Sequence, residues 1–72
     1  MNLSRQLTHA LDELNALNTR AWTTHTFIGL EDKQEAEYLI ACCKNRNHAA
    51  YYNYFADVGP GVYKVTVIRR TA

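Results

Sequence analysis

A chain of 72 residues has room for one hydrophobic core, and at this length only about 60% of the unfolded surface is buried on folding, so a lone copy is marginal without reinforcement. Residues that are 47% apolar and 11% aromatic exclude the disordered class. The formal net charge of +1, eight Lys and Arg against seven Asp and Glu, excludes a global attraction to nucleic acid or to an anionic membrane.

The first element is a helix over 1–18. Leu3, Leu7, Ala10, Leu14 and Leu17 recur at helical spacing, Leu11 widens the stripe, and Asn2 or Ser4 can cap the start. Asp12 and Glu13 interrupt the apolar region that a signal peptide would need, which argues against secretion. No run of about 18 apolar residues exists to span a bilayer, so the expected setting is the cytoplasm and no membrane is expected as a partner. The leucine seam lasts about two heptads, short of a coiled coil. It serves as a core face or, alternatively, as a self-association seam of Leu3, Leu7, Leu14 and Leu17 in a homo-oligomer.

From 21 to 30 the chain changes to AWTTHTFIGL, a Thr-rich and aromatic run without helical period, which predicts a strand. Trp22, Thr24, Thr26 and Ile28 share one face; Thr23, His25 and Phe27 share the other. Gly29 then permits a turn.

The best-specified element is the helix over 32–45. Asp32 and Glu35 have the spacing of a capping box, and Ala36, Leu39, Ile40 and Cys43 form its buried face. Lys44 and Arg46 suit the carbonyl end, and Asn45 or Asn47 can end the helix. Cys42 and Cys43 point about 100° apart on a helix, so a disulfide between them would be strained and both are expected as reduced thiols.

The segments 48–57 and 62–70 predict two strands joined as a hairpin through Val58, Gly59, Pro60 and Gly61. In the first, Tyr51, Asn53 and Phe55 alternate with Tyr52 and Tyr54. In the second, Tyr63, Val65 and Val67 alternate with Val62, Lys64, Thr66, Ile68 and Arg70. The last strand contains no Pro or Gly and suits the centre of the sheet. The expected fold is a single α+β domain, order α-β-α-β-β, with a small three-stranded, mainly antiparallel sheet and two helices.

The three histidines, His9, His25 and His48, stand in no catalytic or metal-binding spacing. Activity would require His25 or His48 to meet a carboxylate within a pocket. Cys42 and Cys43 lie near the helix C-terminus, where the dipole disfavours a thiolate, and adjacent cysteines lack the bite of a zinc site. No catalytic residue, cofactor or metal ligand is therefore assigned.

Tyrosines are the stronger signal. A sheet this small cannot bury Tyr51, Tyr52, Tyr54, Phe55 and Tyr63 together, and a partly exposed Tyr gives an interface both area and a hydrogen-bonding tip. The expected function is a small protein-interaction module, a modulator or inhibitor of another protein, binding through Tyr51, Tyr52, Tyr54, Lys64 and Arg70. The alternative is nucleic-acid binding, with Tyr52 and Tyr54 sharing an outer face with Lys64 and Arg70. In size and layout the chain is comparable to free-standing accessory proteins of phages and mobile elements, although no motif identifies a family.

Overall fold

The computed structural model describes residues 4–56 and 61–70. Helix α1 covers Arg5–Ala16 and continues into a 3-10 turn at Leu17–Thr19; strand β1 is Thr24–Leu30, helix α2 is Lys33–Asn45, and strands β2 and β3 are Ala49–Phe55 and Val62–Ile68. The strands form an antiparallel sheet of order β1-β3-β2, so the order α-β-α-β-β and the central place of the last strand agree with the sequence pattern. Leu3 of the seam and the connection residues Val58, Gly59 and Pro60 lie outside the described residues. No helix among the described residues is long and apolar enough to cross a membrane.

The leucine seam of α1 is core. Leu7, Leu14 and Leu17 are buried together with Ala36, Leu39 and Cys43 of α2 and with Phe27, Leu30, Val65 and Val67 of the sheet. The self-association role for Leu7, Leu14 and Leu17 is therefore overturned: a second chain cannot reach side chains that the fold already covers. Two heptads of seam pattern do not distinguish an internal partner from an external one.

Ser4 is the N-cap of α1, its Oγ accepting from the Leu7 N–H at 3.1 Å. At the start of α2, Asp32 accepts from the Gln34 N–H at 2.8 Å, but the expected reciprocal capping box does not form. Glu35 is taken by the other helix instead. Its carboxylate accepts from Ser4 Oγ at 2.6 Å and from the Ser4 N–H at 3.1 Å. Acceptor capacity that would have served one helix start thus ties two starts together, where both dipoles favour negative charge.

Helix α2 ends as Asn47 predicted. Asn47 has φ +64°, its N–H donates to the Lys44 carbonyl, and the His48 N–H reaches back to the Cys43 carbonyl at 3.1 Å. This pair of bonds is a Schellman ending, which reverses the chain into β2. Cys42 and Cys43 are free thiols, as expected.

Directly paired residues in antiparallel strands point to the same face. His25 pairs with Val67, Phe27 with Val65, Ala50 with Val67, Tyr52 with Val65 and Tyr54 with Tyr63, and this is the face that the helices cover. After Phe27 the register of β1 jumps, so that Leu30 pairs with Tyr63: three steps on β1 match two on β3. Gly29, at φ +91°, lies in that bulge rather than in a turn after the strand. The extra residue rephases β1, and Leu30 enters the core behind an outward Ile28.

Candidate functional site

The opposite face of the sheet carries Thr24, Thr26 and Ile28 from β1, Val62, Lys64, Thr66 and Ile68 from β3, and Ala49, Tyr51, Asn53 and Phe55 from β2. Its large apolar side chains are open to solvent: Ile28 is 71% exposed, and Tyr51, Phe55 and Ile68 are exposed as well. All three strands therefore contribute exposed apolar side chains to one face. Scattered surface hydrophobics need no explanation, but a face assembled from every strand of a sheet does.

Polar residues are interleaved with these, neutral at Thr24, Thr26, Thr66 and Asn53 and charged only at Lys64. Lys64 Nζ lies 4.6 Å from the centroid of the Phe55 ring, over the ring itself. Thr26 and Thr66 place their hydroxyl oxygens 3.4 Å apart across the β1–β3 seam. None of the three strands contains an acidic residue, and Arg69 and Arg70 follow exposed at the end of β3.

Two of the expected contact residues, Tyr51 and Lys64, lie on this face, and Arg70 is exposed beside its end. Tyr52 and Tyr54 do not. They sit on the helix side, where the Tyr63 ring centroid is 5.6 Å from that of Tyr52 and 4.7 Å from that of Tyr54. The expected sharing of an outer face by Tyr52, Tyr54, Lys64 and Arg70 is thus overturned, because Phe55 pairs with Val62 and odd positions of β2 match even positions of β3. Tyr54 is nevertheless 54% exposed, and its ring lies against Gly61. A Cβ at Gly61 would collide with that ring.

Ile28, Phe55 and Ile68 were not among the expected contact residues. A usable signal was Asn53. Facing Asn53 inward would bury an amide without partners, which costs more than leaving its neighbours Tyr51 and Phe55 in water.

A second feature lies between α1 and β1. Arg5, Gln6, His9, Ala10 and Glu13 line one side of a groove of about 450 Å³ and Thr26, Phe27 and Ile28 the other. Next to it His25 Nε2 is 3.0 Å from Glu13 Oε2, a contact that ties α1 to the sheet. The required meeting of a histidine with a carboxylate thus occurs at His25, although the groove lining includes Glu13 and not His25, and neither serine nor cysteine. His48 packs its ring edge-on against Trp22 at 5.0 Å, and its Nδ1 accepts from the Arg70 N–H at 3.4 Å.

Burial pushes the Cys43 thiol up to about 11 from 9.0, with a smaller contribution from neighbouring Cys42 and an opposing one from Arg46. At neutral pH it is a packed apolar group. No cluster of three or more His, Cys, Asp and Glu side chains among the described residues is arranged to hold a metal ion. Comparison of the chain with protein-family models, curated proteins and solved structures returns no match.

Proposed function

We propose that the chain is a protein-interaction module that binds a partner protein on the helix-free face of its sheet and so modulates or inhibits it. The observation that carries this reading is the exposure of Ile28, Tyr51, Phe55 and Ile68 on one continuous face. The cationic character of the surroundings, Lys64 on the face with Arg69 and Arg70 at its end, suits a partner with an apolar centre and an acidic rim. Rigid strands hold the side chains, so association costs little ordering of the backbone.

The test is affinity capture from the native host followed by mass spectrometry, with the wild type beside Ile28→Asp and Phe55→Ala. A partner kept by the wild type and lost by both variants supports the reading. Equal retention by both moves the contact elsewhere.

Nucleic-acid binding is a second reading, supported by Tyr51, Phe55 and Lys64 on one open face. Lys64 is the sole cation in the three described strands, which is little for a backbone that must be held electrostatically. Fluorescence anisotropy with a single-stranded oligonucleotide separates the readings: salt-sensitive binding lost in Phe55→Ala and Lys64→Ala favours nucleic acid.

A further inference from the structure

We propose that two copies of the chain join through β2, edge to edge and antiparallel, to make one six-stranded sheet. The inference concerns an edge rather than the open face and stands apart from the partner reading above.

The backbone pairing identifies which groups are available. The Arg69 N–H donates to the Thr23 carbonyl at 2.8 Å. Hydrogen bonding alternates along an antiparallel pair, so Val65, Val67 and Arg69 turn their backbone groups to β1, whereas Lys64, Thr66 and Ile68 turn theirs to β2. Their partners on β2 are Asn53, Tyr51 and Ala49. The backbone groups of Ala50, Tyr52 and Tyr54 are left on the outer edge, and none of them bonds to a loop or helix among the described residues.

The two sheet edges differ in how they are guarded. Both edge strands have a helix over their inner face, but only the β1 edge is interrupted by a bulge, with Gly29 at φ +91°. Bulges and irregular edges discourage further pairing. Strand β2 keeps an unbroken register from Ala49 opposite Ile68 to Phe55 opposite Val62. Its sequence, AAYYNYF, has no charge, proline or glycine.

The same sequence selects a second copy as the occupant. A strand without charges meets itself with no like-charge repulsion and offers a charged strand nothing to pair with. Only a two-fold axis through Tyr52 uses all three free positions. In that register Tyr52 faces Tyr52 of the second copy, and Ala50 faces Tyr54 of the second copy. Tyr54 of each copy therefore meets an alanine, large against small, on both sides of the axis. Because the contact is the same strand on both chains, it closes at two.

Sedimentation velocity of the full chain, from micromolar to about millimolar concentration, reads the association directly. The expected result is a concentration-dependent dimer. Chain made by chemical synthesis with an N-methyl group at Ala50 removes an outward donor and leaves every β2–β3 bond in place. Its dimer affinity should fall at least about tenfold with an unchanged circular dichroism spectrum. Tyr52→Lys and Tyr52→Glu should each be monomeric, and their equimolar mixture should dimerise again. A strict monomer at the highest concentration, or a dimer indifferent to N-methylation at Ala50, would overturn the proposal. Sedimentation of a dimer from the two charged variants separately as readily as from their mixture would also overturn it.

Discussion

The two faces of this sheet use the same kinds of residue and reach opposite outcomes. On the helix side Phe27, Leu30, Val65 and Val67 are buried under α1 and α2, and on the other side Ile28, Tyr51, Phe55 and Ile68 remain in water. The outer face mixes these with Thr24, Thr26, Thr66, Asn53 and Lys64, and it is register that decides which apolar residues fall on which side. The comparison teaches that in a fold with both helices on one layer, the apolar content of the second layer is left over from stability and available for contact.

Truncations should reveal the contrast at full size. Phe27→Ala is expected to cost about 3–5 kcal/mol in urea denaturation, enough to unfold much of a chain of this length, because the cavity lies under both helices. Ile28→Ala, one residue away, should stay within about 0.5 kcal/mol of the wild type. A loss at Ile28 comparable to that at Phe27 would mean that the outer face is covered after all.

Next in size is the link between the helix starts. Glu35→Ala should cost about 1–2 kcal/mol, and a double-mutant cycle with Ser4→Ala should give a clear coupling energy, since each residue holds the other. Strict additivity would indicate that Glu35 caps its own helix in solution.

Of comparable size at high pH is a titration effect. The Cys43 pKa is raised to about 11 in the folded chain against 9.0 unfolded, so the unfolded state releases this proton first, and stability falls as pH rises from 9 towards 11. Thermal unfolding of wild type and Cys43→Ala across that range should show a steeper loss for the wild type. In the folded protein an alkylating reagent at pH 8 should modify Cys42 well before Cys43.

Phe55→Ser should cost at most about 1 kcal/mol in denaturation, from lost strand preference and the Lys64 contact, and far more in partner capture. That dissociation of the two readouts is the sharpest statement of the difference between the faces.

The fold was readable from local pattern. Helical spacing in Leu7, Ala10, Leu14 and Leu17, strand alternation in VYKVTVI and the left-handed preference of Asn47 each acted within a few residues of themselves. The misreadings were all of long range. Glu35 satisfied a local capping rule but found Ser4, 31 positions away, a competition that no window around Asp32 contains. Tyr52 and Tyr54 were assigned to the wrong layer because alternation defines two faces within each strand but not which face of one strand matches which of the next. Hairpin register sets that match, and Asn53 was the one side chain whose burial would have betrayed the wrong choice. The candidate surface is consequently half legible: Tyr51 and Lys64 are named as contacts, Phe55 only within the aromatic surplus, and Ile28 and Ile68 not at all.

The bulge at Gly29 changes how this segment would record its own history. A strand under ordinary alternation accepts change at every second position, and a library of tolerated substitutions shows that rhythm. Here the rhythm breaks after Phe27, because Ile28 faces water, Gly29 resists any side chain at its positive φ, and Leu30 is enclosed. Mutational tolerance through β1 should therefore run in steps of two and then stumble into a step of three. Read without the structure, that stumble would resemble the onset of a helix.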